Sequence, residues 1–450
     1  MSIFDGKRIQ PEVFQIDAER MQSGWYTDKY FQNIVKIMEA LDKENYRYKG
    51  SSDLAGVDVA NVETGNIEVE MQIFTRRSPV SLVAGTDEAI AVLSECTGLT
   101  DEKGVFVNTF DQLEVEIVED GAFVEYDGNP LHVQPVIKLR GRYRDFAALE
   151  TPILGALTEA TRVATNVYNT LVAAEGKDVL FFPARFAHYK MQALHGYAYH
   201  LATLAASKRL GKTAHFFIST DGQGDWWGQA GGGTIAHSSI VCFLGDLSET
   251  MMQFCRIMPS DVPRIALVDF HNDCVRDTLL TMRRMFDEYW RLKKSGQDIE
   301  AEKYRLFAVR PDTSGNMRDK SVPPLGDREL DCGVNPRLVW ALRESMDEAY
   351  EAWELPYDAI DEAKRWCGSI KIVVTGGFTV EKIHKFEQLG VPVDIYGVGS
   401  SLLSNCEQCG TNNDYTADIV KVKINGEWCD LTKAGRCSAE NSDLKILKRS

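Results

Sequence analysis

From Ile153 to Leu171, apolar residues recur every three or four positions (Ile153, Leu157, Ala160, Ala164, Val167, Leu171), which marks one face of a long helix. The pattern before it is different. Between about Gly56 and Gly141, short alternating segments at 67–74, 104–106, 115–118, 123–126 and 133–139 are broken by Gly, Asp and Asn. They predict a small β-rich α+β domain, interrupted by a helix near 87–96. A leading helix is predicted by the stripe Ile34, Ile37, Met38 and Leu41, with Thr27 or Asp28 placed to cap it. After the long helix, apolar runs at 179–182, 214–218, 265–269, 306–310, 370–374 and 393–396 alternate with amphipathic stretches such as Val275, Leu279, Met282, Phe286, Tyr289. Strands too uniformly apolar to alternate, with helices between them, predict a parallel sheet covered by helices. Six strands are fewer than the eight of a regular barrel, so the α/β barrel is expected to be irregular. The end of the chain returns to a β-rich, turn-rich pattern and is expected to pack on the N-terminal domain. The expected division is 1–145, 146–403 and 404–450.

Two of the strands end in glycine. The run Ile370 to Val374 leads into Thr375-Gly376-Gly377, and the run Val393 to Tyr396 into Gly397-Val398-Gly399-Ser400. Consecutive strands closing on glycine turns suit a phosphate, because backbone N–H groups can approach an anion where no Cβ intervenes. Two ordinary turns would read the same way on these residues alone.

A hydrophobic content of 44% with 26% charged residues is that of a folded chain rather than a disordered one. No apolar run reaches the length of about 18 residues that a membrane span requires, and the start, MSIFDGKRIQPEVF, lacks a signal peptide's layout. A cytoplasmic protein is expected. A net charge of −16 argues against nucleic-acid or membrane-surface partners. Any phosphate must then be met by particular Arg and Lys side chains. Ten cysteines in such a chain are expected to be reduced, buried or metal-bound.

Further chemistry gathers at the expected carboxyl ends of the strands, where a barrel builds its active site. Phe182 and Arg185 follow the first strand and Asp221 the second, with His237 beyond a glycine-rich stretch. Asp269, His271 and Asp273 follow the third, and Arg310 and Asp312 the fourth. A lone histidine or arginine usually has a structural role. All of these strand ends finishing in polar residues or glycine favours one shared rim.

These residues resemble the nicotinate phosphoribosyltransferase family, of type II phosphoribosyltransferase fold, over nearly the whole chain. Thr27-Asp28-Lys29-Tyr30 is similar to the family's early TD-x-Y segment, and Ile73 to Pro79 to its F-T-K-R-E-P stretch. Leu149 to Gly155 is similar to L-E-T-x-L-L-G, Gly233 to Ser238 to G-T-M-A-H-S, and the two glycine turns to its phosphate loops. Asp414 to Asp418 and Lys433 to Arg436 resemble its closing D-F-T-A-D and K-V-G-R elements.

The resemblance implies an irregular α/β barrel with an N-terminal β domain, assembled as a homodimer or a higher homo-oligomer. It implies transfer of a phosphoribosyl group from phosphoribosyl pyrophosphate to nicotinate, with ATP as co-substrate. Tyr30, reaching from one protomer to the other's site, and Phe182 are implied to sandwich the pyridine, and Arg185 to hold its carboxylate. Arg310 and Asp312 are implied at the ribose and pyrophosphate, Gly376, Gly377, Gly397, Gly399 and Ser400 at the 5′-phosphate. His237 takes the place of a histidine phosphorylated by ATP. Asp221 and Asp273 join the substrate-binding set, and Asp269, Asp273 and Asp312 are candidates to meet Mg²⁺, the expected counter-ion of the pyrophosphate.

Three departures stand out. Arg185-Phe186 replaces a paired Arg-Arg, and the segment before Gly233 is long and contains Trp226 and Trp227, which leaves nicotinamide or quinolinate open as the base. Cys406-x-x-Cys409, followed by Cys429 and Cys437, has the composition of a structural zinc site, or of free cysteines. A non-catalytic binding relative is the alternative from another class. A barrel lyase would need a Schiff-base lysine at a strand end, and Lys371 lies inside its strand.

Overall fold

Strand β1, Glu68–Thr75, alternates apolar Val69, Met71 and Ile73 with polar Glu70 and Gln72, yet both of its faces are buried. In the computed structural model, which describes residues 7–448 except 53 and 55, that double burial is explained by what covers each face. Residues 1–6, which open the amino-terminal stretch read above, lie outside the described residues. The chain forms two units, one of 1–168, 197–208 and 404–450, the other of 169–196 and 209–403. The long helix, Glu150–Ala173, which the sequence assigned to the barrel domain, therefore lies mostly in the first unit.

In the first unit, β1 pairs antiparallel with β3, Ile137–Arg142, which pairs in turn with β2, Glu114–Ile117. Their apolar face packs Val69, Met71, Ile73, Val115 and Leu139 against Val92 and Leu93 of the helix Thr86–Cys96 and against Ile153 and Leu157 of the long helix. The leading helix runs Lys29–Lys43, but neither expected residue caps it. Asp28 makes no side-chain cap bond, and the Thr27 hydroxyl donates to the Ala148 carbonyl instead.

The second unit holds five parallel strands: β4, Asp178–Phe181; β5, Ile265–Leu267; β6, Ala308–Arg310; β7, Lys371–Val374; and β8, Ile395–Val398. Their order is β4-β8-β7-β6-β5, and Ile218 adds a parallel bridge to Phe181 outside β4. Taken in chain order this is a ring, open between Ile218 and β5 among the described residues. Leu180, Ile265, Ala308, Val373 and Ile395, one from each strand, form a single interior cluster with Phe182 and Phe217. A filled centre of this kind is how a barrel buries strands that are apolar on both faces. The strand expected at 214–218 is reduced to that one bridge. The Ile218 carbonyl, which a further strand would use, accepts from the Gly232 N–H at 2.8 Å, so the returning glycine-rich stretch takes its place.

The last segment returns to the first unit as β9, Tyr415–Ile424; β10, Glu427–Asp430; and β11, Lys445–Ile446. They complete a six-stranded sheet in the order β10-β9-β1-β3-β2-β11. The loop between β10 and β11 covers the polar face. Gln72 donates to the Cys437 carbonyl and accepts from the Ala439 N–H, both at 3.0 Å. Lys138, fully buried, reaches Glu440 at 2.7 Å. Burial works to raise the pKa of Glu70, but Arg140 at 2.6 Å, with Lys421 and Lys138, outweighs it and lowers it.

The four thiols expected as zinc ligands do not assemble. Cys406 and Cys409 are joined in a disulfide, with Cα atoms 5.2 Å apart. Cys429 is on β10, and the Cys437 thiol meets the Leu131 carbonyl at 3.7 Å. Two thiols in one tight turn satisfy each other and leave the other pair without them. No helix among the described residues is long and apolar enough to cross a membrane.

Ile73 is fully buried at the centre of this sheet, whereas Ile446 is 66% exposed at its edge. Ile73→Ala is expected to cost about 2–4 kcal/mol of stability, and Ile446→Ala less than about 0.5 kcal/mol. Chemical denaturation followed by circular dichroism measures both, and equal effects would contradict the sheet order.

Candidate active site

Because the strands of the second unit are parallel, the residues that follow them emerge at one end of the ring. Phe182 and Arg185 follow β4, Arg310 closes β6 with Asp312 just beyond, Thr375 to Phe378 follow β7, and Gly399 and Ser400 follow β8. With Ile235, Ala236 and His237 they line one cavity of about 330 Å³. The glycines there answer to space and to backbone conformation. A Cβ on Gly397 would lie 2.5 Å from Thr375 Cγ2 and 3.1 Å from Phe182 Cε2. Gly376 and Gly377 have φ of 89° and 68°, in the left-handed region that favours glycine.

His237 begins a short helix, His237–Cys242, and its Nε2–H donates to Asp269 Oδ1 at 3.0 Å. A carboxylate can only accept, so in the neutral imidazole this bond places the proton on Nε2 and the lone pair on Nδ1. Burial raises the pKa of Asp269, and His237 opposes that rise. His237, Asp269 and Asp312 are the one group of three ligand-type side chains, among the described residues, whose ligand atoms all lie within 4.8 Å of one another. Asp312 also pushes the pKa of Asp269 upward, so a cation between the two carboxylates would relieve their repulsion. Two carboxylates suit an oxygen-seeking ion such as Mg²⁺; the imidazole suits it less.

Arg310 is the half-buried cation of the site. Its Nη2 donates to the Ile235 carbonyl at 3.0 Å, while its Nε is buried with no hydrogen-bond partner among the described residues. Burial lowers its pKa, against the pull of Asp312 and Asp269. Asp312 accepts from the Thr375 hydroxyl at 2.7 Å, which ties the end of β6 to the first glycine turn. Arg185 is exposed at the rim, its guanidinium 5.0 Å from the Phe186 ring centroid.

Of the residues singled out in the sequence, Phe182, Arg185, His237, Arg310, Asp312, Gly376, Gly377, Gly397, Gly399 and Ser400 all border this cavity. Asp221 and Asp273 are not among its lining residues. Asp221 accepts from the Gly231 N–H at 2.8 Å, and Asp273 caps the helix Cys274–Lys294 through the Arg276 N–H. Each spends its carboxylate on local backbone, a use that a strand-end position does not reveal. Tyr30 is in the first unit, 63% exposed, with its hydroxyl 3.2 Å from Asp28. Thr375, Phe186 and Phe378 also line the cavity without having been singled out as site residues. The position of Thr375, directly before the first glycine pair, was the available signal.

Residues 58–161 match the family model described as quinolinate phosphoribosyl transferase, N-terminal domain. Among solved structures, the chain is similar to a nicotinate-nucleotide pyrophosphorylase from Pyrococcus furiosus. That match has a TM-score of 0.61 and 21% identity over 96% of this chain and 85% of the other. It is also similar to human nicotinic acid phosphoribosyltransferase, with a TM-score of 0.52 and 15% identity over 88% of this chain and 74% of the other. At these identities the likeness is one of fold.

Gly397→Ala is expected to force Thr375 and Phe182 apart and lower stability by about 1–3 kcal/mol. Gly368→Ala, where a Cβ meets nothing within 4 Å, is the control. An unchanged melting temperature in Gly397→Ala would contradict the close approach of the two turns.

Proposed function

We propose, from the premise that this chain belongs to the type II phosphoribosyltransferases, that it acts on nicotinate in pyridine nucleotide salvage. It joins nicotinate to phosphoribosyl pyrophosphate, forming nicotinate mononucleotide and pyrophosphate, with ATP hydrolysis coupled to turnover. The observation that carries this reading is that both glycine turns, the half-buried Arg310, His237 and Arg185 line a single cavity.

The ring nitrogen of nicotinate attacks C1′ of the ribose as the bond from C1′ to the pyrophosphate oxygen breaks. Positive charge develops on the ribose and negative charge on the leaving group. Backbone N–H groups of the two glycine turns and Ser400 hold the 5′-phosphate, which fixes the ribose for in-line displacement. Arg310, whose Nε is withdrawn from water, offers that unpartnered atom to the anionic end of the substrate, where lower dielectric strengthens the attraction. Asp269 and Asp312 would meet Mg²⁺ entering with phosphoribosyl pyrophosphate, which would supply charge neutralisation for the leaving pyrophosphate.

The pyridine stacks on Phe182, with Tyr30 of a second copy as the opposite wall of a homodimeric site. Arg185 pairs with the carboxylate. Only Arg185 and Arg310 are cationic among the lining residues, and Arg310 is committed to the ribose side. One remaining guanidinium matches one carboxylate, which favours nicotinate over the dicarboxylate quinolinate and over uncharged nicotinamide. His237, held through Nε2 by Asp269, presents Nδ1 to the terminal phosphoryl group of ATP. The N–P bond forms as the bond from the γ-phosphorus to the bridging oxygen breaks, and ADP leaves with that oxygen.

Product analysis with nicotinate, nicotinamide or quinolinate, each with phosphoribosyl pyrophosphate and Mg²⁺, with and without ATP, tests the reading. Nicotinate mononucleotide is the expected product, and turnover of quinolinate alone with release of CO₂ would replace it. Phosphoribosyl pyrophosphate binding with no turnover of any base would instead favour a non-catalytic role. His237→Ala is expected to keep basal turnover and lose the ATP stimulation; stimulation that persists would remove the phosphohistidine.

A further inference from the structure

Lys382 stands in the first turn of the helix Val380–Gln388, which follows the first glycine turn. Its ammonium lies 4.2 Å from the ring centroid of Phe378, a cavity residue, and donates to the Gly376 carbonyl at 3.4 Å. Among the described residues no carboxylate comes within ion-pair distance of it. Burial lowers its pKa to about 8. The Phe386 ring lies farther off, its centroid 5.8 Å from the ammonium, and a partly desolvated cation with ring faces and one carbonyl around it is incompletely compensated. The Gly377 N–H, on the same peptide group as that carbonyl, makes no hydrogen bond among the described residues.

From this geometry we infer that Lys382 is a positioning residue for an anionic phosphate at the first glycine turn. In a trans peptide the C=O and N–H point in opposite directions. By holding the Gly376 carbonyl on its own side, the ammonium keeps the Gly377 N–H directed away from it, free to donate to the phosphate. Its charge, uncancelled by any carboxylate, adds to the attraction. Gly376 and Gly377 bring flexibility as well as room, so the turn needs such an anchor to present its donor in one orientation. The inference rests on the proposed use of this turn for the 5′-phosphate.

The test compares full-length wild type, Lys382→Met and Lys382→Arg. Calorimetric titration with ribose 5-phosphate is paired with melting temperatures and with steady-state kinetics for phosphoribosyl pyrophosphate. Lys382→Met is expected to weaken ribose 5-phosphate binding by about tenfold or more, the scale of one charge-assisted contact. KM for phosphoribosyl pyrophosphate should rise by a similar factor, with kcat little changed and the melting temperature retained. Lys382→Arg should recover most of the binding. Unchanged binding in Lys382→Met overturns the inference while leaving the phosphate site intact. So does a loss that Lys382→Arg fails to rescue and that tracks a fall in melting temperature, which marks a merely structural lysine. Wild type that binds no ribose 5-phosphate overturns the functional reading, and this inference with it.

Discussion

The constraint on which the site depends is the common direction of five strands. In a parallel ring every strand delivers its next residue to the same end, so segments more than two hundred positions apart, such as Arg185 and Ser400, meet at one cavity without any long-range contact designed for that purpose. The apolar plug of Leu180, Ile265, Ala308, Val373 and Ile395 keeps the strands at fixed spacing beneath it. Precision at the mouth is inherited from packing in the middle.

Within that mouth, polar groups are held by one another and left partly unsatisfied. Thr375 binds Asp312, Asp269 binds His237, and Arg310 spends Nη2 on a carbonyl while its Nε has no partner among the described residues. A buried donor left open costs free energy in the empty protein, and a ligand that fills it recovers that cost. The two like-charged carboxylates, Asp269 and Asp312, work in the same direction, since a cation relieves them.

Much of this was legible in the chain, and the exceptions have physical causes. The uniformly apolar runs gave their parallel pairing, and the turns were declared by Gly376 and Gly377, which hold left-handed φ, and by Gly399, where a Cβ would lie 2.8 Å from the Phe186 ring. Asp273 misled because an aspartate after a strand has the same appearance whether it faces a ligand or caps the following helix, and here it caps one. The strand at 214–218 was over-read for a similar reason: its composition suits a sheet, but Gly232 claims the Ile218 carbonyl. Cys406 and Cys409 have a spacing shared by metal ligands and by disulfide turns, and spacing alone does not separate them. Lys382 was invisible because a lysine early in a helix is ordinary; only its stacking on Phe378 and its lack of a carboxylate set it apart.

The first unit is closed by strands from the far end of the chain, with Thr75 opposite Tyr415. About 340 residues separate them, so at roughly 5–20 residues per second a ribosome needs about 20–70 seconds to supply the missing partner. Throughout that interval β1 has an open edge, and Glu70, Gln72 and Lys138 lack the loop that covers them. The barrel strands emerge entirely within this wait. Synthesis therefore delivers every strand of the ring before the sheet of the first unit can be completed, and leaves the edge of β1 open until β9 emerges.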